Sequence, residues 1–263
     1  MKKIIFSLAV CSALVMAADV TTEKPLKAHS ELGYVETNGN TDTKAFSLEL
    51  DLTKEWNKSE FSFDFDGQYA TEQSVETKNK YVAELEYGYK LSERLSAYYL
   101  LGYKSDKFSG FAYQLYTGPG LKYKVLTQEP HKLRVEAGLL YALDQYEDVW
   151  VDALGNQLSY PYDGVVKDHI ITAAYKDDYA SYRLKGVYDW KILETLKFQQ
   201  ELTLRGSLEK SDKYFVYSKT AIYNKINSIF SAGISYKIDY VNIPADGKKR
   251  TDTTLAVNLI LDY

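Results

Sequence analysis

DTKAFSLELDLTKEW, residues 42–56, is the stretch whose reading decides the fold. In an extended chain Phe46, Leu48, Leu50, Leu52 and Trp56 point one way. Ala45, Ser47, Glu49, Asp51, Thr53 and Glu55 point the other. Period-two alternation marks a β-strand with two unlike faces. It does not say which face is inside. A soluble sandwich buries the leucines; a barrel in an outer membrane turns them to lipid and keeps the acids within.

The same alternation recurs along the chain. Strands are expected at 28–37, 42–56, 60–72, 80–91, 95–104, 111–126, 131–145, 181–191, 194–208, 213–224, 228–241 and 252–263. Twelve is an even number, as an up-and-down barrel requires, and no 3.6-residue periodicity competes. Pro119, in TGPG, falls inside a strand and is read as a bulge or bend. A second arrangement adds DVWVDALG and VVKDHIITAAY as spanning strands, giving fourteen; otherwise they form a hairpin above the membrane.

Three features choose the inverted arrangement. Connections alternate: NKS, SER, TQEP, KILE and NKIN are short, whereas TEQSVETKN, SDKFSG, residues 146–180, EKSDK and NIPADGKKR are mostly longer. Short periplasmic turns alternating with longer extracellular loops put both termini in the periplasm. The longest strands exceed the five or six residues usual in soluble folds, and crossing a bilayer at a tilt takes about 9–11. The chain has 25 tyrosines, with Tyr87, Tyr89, Tyr103, Tyr123, Tyr236 and Tyr240 read as an interfacial girdle. The fold class expected is an all-β, antiparallel transmembrane barrel of about twelve strands. A soluble lipocalin-like or sandwich protein is the competing architecture.

The ends agree. MKKIIFSLAVCSALVMAADV has two lysines, a short apolar run and small residues, the layout of a secretory signal peptide spanning 1–17. Val10 before Cys11 lacks the small side chain that lipoprotein processing needs, so Cys11 reads as part of the apolar run. Residues 18–27 follow as a short periplasmic segment, and 28–263 form the barrel with its long extracellular loop at 146–180. The only cysteine lies in the signal, so the mature chain has no disulfide, thiolate metal site or cysteine nucleophile. At the C-terminus Leu259, Leu261 and Tyr263 alternate and finish on an aromatic, like the strand signal that barrel assembly machinery recognises.

Three motifs, ELGYVETNGNTDT, YKSDKFSGFAYQLYTGPGLKY and YVNIPADGKKRTDTTLAVNLILDY, are similar to those of the domain of unknown function 481, a family of salt-induced outer-membrane proteins. The resemblance runs in order over the mature chain. It implies an outer-membrane barrel and carries no catalytic residues.

Candidate chemistry is sparse. His29, His131 and His169 are far apart, with no metal-ligand spacing. Ser30 adjoins His29, but consecutive strand residues face opposite ways and cannot form a nucleophile–base pair. ADGKKRTD lacks the helix of a phosphate loop and reads as a solvated loop. No enzyme, metal or cofactor is expected, and the net charge of −4 argues against a nucleic-acid partner. The expected surroundings are outer-membrane lipids, lipopolysaccharide and the assembly machinery, with the chain a monomer.

The inward face carries the candidate site. An acidic wall is expected at Glu49, Asp51, Asp64, Asp66, Glu84 and Glu86, and a basic wall at Lys124, Arg134, Arg183, Lys185 and Arg205. Twelve strands ~4.8 Å apart and tilted ~40° give a radius of ~12 Å. Long inward side chains fill about 5–6 Å of that. The walls must therefore pair across the interior or stay wet. Three functions fit: a narrow channel for small ions or polar solutes, a structural or stress-response envelope protein with a filled lumen, or a receptor or adhesin acting through residues 146–180.

Overall fold

The structure, a computed structural model, describes residues 25–37, 42–152, 169–172, 174–244 and 248–262. The signal peptide 1–17, most of segment 18–27, the NGNT turn and Tyr263 lie outside the described residues.

The strands are β1 (Lys27–Thr37), β2 (Thr43–Trp56), β3 (Ser59–Glu72), β4 (Val75–Lys90), β5 (Leu95–Asp106), β6 (Phe111–Leu126), β7 (His131–Tyr146), β8 (Val149–Asp152), β9 (His169–Thr172), β10 (Lys176–Lys191), β11 (Leu196–Ser207), β12 (Tyr214–Lys225), β13 (Phe230–Val241) and β14 (Thr251–Asp262). Twelve close into an antiparallel barrel, each beside its sequence neighbours, with β10 next to β7 and β14 next to β1. β8 and β9 pair only with each other, so the fourteen-strand arrangement does not occur.

The barrel is inside out. Exposed large apolar residues lie on its outer face, among them Leu101, Leu139, Leu202, Ile234, Leu255 and Val257. Glu31, Lys80, Glu136, Asp144, Arg183, Lys219 and Lys237 are buried within. Leu48 and Leu50 share the outward face of β2 with exposed Phe46, whereas Glu49 and Asp51 line the interior. On the outside, Tyr81, Tyr103 and Tyr113 stack as a row across β4, β5 and β6 at centroid separations of 6.0 Å.

Several expected boundaries change, each for an identifiable reason. TEQSVETKN is not a long loop. β3 and β4 meet at a tight turn, Gln73–Ser74, both at positive φ (47° and 67°), as a two-residue hairpin turn requires. The chain stays extended because Lys78 and Lys80 reach inward, the first to Thr254 at 2.7 Å and the second to Asp239 at 2.5 Å. The loop expected at 146–180 is likewise shorter, because Tyr146 ends β7 and Lys176–Ala180 already belong to β10. Asp177 accepts from Lys213 at 2.7 Å and the Tyr179 hydroxyl donates to Asp144 at 3.0 Å, which fixes that segment against its neighbours.

Pro119 makes no bulge. Pairing keeps one register on both sides, Thr117 with Tyr141 and Gly120 with Gly138, and the register shifts of β6 fall nearer its ends. What TGPG supplies is closeness. A Cβ on Gly118 would lie 2.2 Å from the Leu139 carbonyl oxygen, and one on Gly120 would lie 2.3 Å from the Tyr98 ring. The second neighbour is a side chain that can turn away; the first is backbone and cannot. Gly118→Ala is therefore expected to force β6 from β7 and destabilise the barrel by about 1–3 kcal/mol, as overpacking does. A lower urea midpoint for loss of the compact, heat-modifiable gel band would show it, with Gly186→Ala, which meets nothing within 4 Å, as the neutral control.

Candidate functional site: the charged lumen

Closure puts every second residue of each strand inside, and several of the charges meet across the interior. Lys219 on β12 reaches Glu31 on β1 at 2.8 Å and Glu49 on β2 at 2.7 Å. Lys237 on β13 reaches Glu49 at 2.7 Å and Asp66 on β3 at 2.6 Å. Asp239, also on β13, accepts from Lys80 at 2.5 Å and Lys104 at 3.5 Å. Arg183 on β10 spans to Glu84 on β4 at 3.2 Å while holding Glu136 of neighbouring β7 at 3.0 Å. These are chords of the barrel.

Of the eleven wall residues named from the sequence, only Glu84 and Arg183 join one wall to the other by an ion pair. Glu49 and Asp66 bond to Lys219 and Lys237, which sequence reasoning did not single out. Glu86 accepts from Lys122 at 2.5 Å. Lys185 holds Glu201 on adjacent β11 at 2.8 Å, and Arg134 holds Glu136 on its own strand at 3.0 Å. Asp51 and Asp64 sit opposite each other in register and line the cavity. Lys124 is exposed near the end of β6 and does not line it. Leu259 lies exposed on the outer face of β14.

One part of the interior is not charged at all. Tyr98, Leu100, Tyr116, Leu140, Ala142 and Tyr179, from β5, β6, β7 and β10, form a buried apolar cluster. It fills the side of the lumen where a basic wall is expected. Arg205 lies against this filling, its guanidinium 4.7 Å from the Tyr116 ring centroid and 4.5 Å from that of Phe215.

The space left is a cavity of ≈ 550 Å³. It reaches from His29, Ser231 and Asp262 near one mouth, past Asp51, Asp64, Glu84, Arg183 and Lys185, to Lys104, Asp239 and Val241 toward the other. Most of the side chains that line it are polar or charged, and the chords cross it. Among the described residues no group of three or more His, Asp or Glu side chains converges as a metal ion would need.

Glu31 is the junction of this network. It is 2 % exposed and accepts from Lys219, from Asn258 at 2.5 Å, from the Tyr223 hydroxyl at 2.9 Å and from His29 at 3.2 Å. Its strand is also where the barrel closes: among the described residues β1 and β14 pair over four positions, His29–Asp262 to Leu32–Leu259. The Glu31 carboxylate thus ties β1 to β14 and β12 where the backbone ladder is shortest.

A closed twelve-stranded antiparallel sheet, apolar outside and ionic within, is the architecture of transmembrane β-barrels. Residues 30–263 match the family described as "Protein of unknown function, DUF481", and the chain belongs to that family. No curated protein matches the sequence. Among solved structures it is similar to the NanC porin, at 11% identity over 91% of this chain and 99% of that one, with a TM-score of 0.47. The translocator domain of autotransporter NalP from Neisseria meningitidis shares 8% identity over 90% of this chain and 86% of its own, at 0.46. The KdgM porin shares 10% over 91% and 98%, at 0.41.

Removing the Glu31 carboxylate leaves Lys219 with Glu49 alone and takes a buried acceptor from Asn258 and Tyr223. Glu31→Ala is expected to cost about 3–5 kcal/mol, the range for breaking a buried ion pair. Glu36→Ala, at the exposed end of the same strand, should cost ~0–1 kcal/mol. Urea titrations of the refolded barrel, followed by tyrosine fluorescence and gel mobility, would separate the two.

Proposed function

We propose that this chain is a bacterial outer-membrane barrel acting as a narrow channel for small ions and small polar solutes, without catalytic activity. In this reading the N-terminal signal exports it, and the barrel inserts as a monomer with both termini in the periplasm. Its C-terminal strand is handed over by the assembly machinery, and its outer face contacts lipid and lipopolysaccharide. The observation that carries the proposal is the lumen itself: a polar cavity of ≈ 550 Å³ that chords of paired charge cross without an apolar plug across its whole width.

Such a lumen discriminates by size and by charge. Pore-lining charges that pair with one another present little net field to a passing ion, yet they narrow the path. An oligosaccharide cannot thread between Arg183 and Glu84 without breaking their bond, whereas a small ion can pass beside it. Removing a cation from the chord widens the path and leaves acid behind.

Planar-bilayer recordings on the refolded protein are expected to give a small conductance, and liposome-swelling assays no passage of oligosaccharides. Replacing Arg134 and Arg183 with alanine should raise the conductance and shift selectivity toward cations. A large, unselective conductance in the unmodified protein would refute the constricted lumen. No conductance in either protein would favour the structural envelope role instead.

A further inference from the structure

Among the described residues six cations are buried: Lys80, Arg183, Arg205, Lys213, Lys219 and Lys237. Five have a carboxylate within 3.2 Å. Arg205 differs. It is 6 % exposed, forms no ion pair, and its Nη1 has no hydrogen-bond partner. What holds it is aromatic: the rings of Tyr116 and Phe215 lie against the guanidinium at 4.7 and 4.5 Å. The Tyr116 hydroxyl donates to Glu84 at 2.6 Å, and Arg205 Nη1 makes no hydrogen bond to it. Lys104 leans on Asp239, and Asp144 is taken by Lys213, Gln114 and Tyr179.

A buried guanidinium without an anion is costly, and the neighbouring rings offset only part of that cost. Arg205 lines the cavity and its Nη1 has no partner, so its N–H groups are what a ligand there would meet. We propose that Arg205 is a binding site for the carboxylate group of a small organic anion within the lumen. The edge of a guanidinium matches two carboxylate oxygens, and its single charge balances one carboxylate. A phosphate dianion would leave a negative charge over beside Asp239 and Glu84. Phe215, Val241 and the Tyr116 ring give the carbon skeleton an apolar wall. The inference deepens the channel reading and rests on it for biological meaning, because a lumen site selects solutes only if solutes enter.

The test is calorimetric titration of the refolded, detergent-solubilised barrel with benzoate, acetate, phosphate and chloride at constant ionic strength. Saturable one-to-one benzoate binding is expected, weakened at least tenfold by Arg205→Gln and partly restored in Arg205→Lys. Absence of saturation, equal binding in Arg205→Gln, or phosphate and chloride binding as tightly as benzoate would overturn the proposal. Stability supplies a second readout. Arg205→Met, which satisfies the same rings without a charge, should melt no lower than the unmodified protein, whereas Arg183→Met should melt lower. If Arg205→Met melts as low as Arg183→Met, Arg205 is a structural residue and the site is refuted. Benzoate binding in a barrel that does not conduct would refute the channel and leave the site standing. Conduction without benzoate binding would do the reverse.

Discussion

A lipid bilayer offers no hydrogen bonds, so each amide of a spanning strand must find its carbonyl on the next strand, all the way round. Closure is the constraint on which everything else here depends. It fixes twelve strands in sequence order, exiles the β8–β9 hairpin to a separate sheet, and turns half of all strand residues inward. Among the described residues the ladder is shortest where the chain's two ends meet, over four positions of β1 and β14. Side chains reinforce that seam from within. His29 bonds Asp262 at 2.6 Å, and Glu31 binds both Asn258 of β14 and Lys219 of β12. The lumen network is therefore part of the closure and not only a lining.

Turning half the residues inward creates a second problem. Ions removed from bulk water lose more than a surface pair gains, and they persist only when paired or wet. The barrel uses both solutions. Where strands face each other across the interior, lysine and arginine reach over to acids: β12 to β1 and β2, β13 to β2 and β3, β4 to β13, β10 to β4. Where they do not, the cavity keeps side chains such as Asp51, Asp64 and Lys197 along a polar path. The aromatic cluster of β5, β6, β7 and β10 fills part of the remaining flank. Small residues permit this filling. Without a bare α-carbon at Gly102 the Tyr116 ring, 2.0 Å from where a Cβ would stand, could not fold inward.

Against that economy Arg205 stands out by contrast with its neighbours. Arg183, its partner in register on β10, meets two carboxylates, whereas Arg205 meets two rings. The rings lie beside the guanidinium, and its Nη1 is left without a partner. A purely structural role would be served as well by an apolar side chain.

The alternation in DTKAFSLELDLTKEW and the other spanning strands determined two-faced strands, connection and strand lengths chose the inverted barrel, and only closure decided twelve strands over fourteen. Period two is a local property, and lipid outside leaves one orientation for it. The residue types also determined that the interior is ionic. Which ions meet was not legible. Lys219 and Lys237 alternate inward in β12 and β13 as plainly as Glu49 and Asp66 do in β2 and β3, so their direction could be read. Their pairing could not, because it depends on how far each strand slides past the next around a closed sheet. The extended course of 75–80 and 176–180 was hidden for the same reason, since Lys78, Lys80, Asp177 and Tyr179 are held by partners far away in sequence. Tertiary structure alone decided that one flank is aromatic, that Lys124 stays outside the cavity, and that Arg205 has no acid within reach. Local periodicity says where a side chain points; only closure says what it finds there.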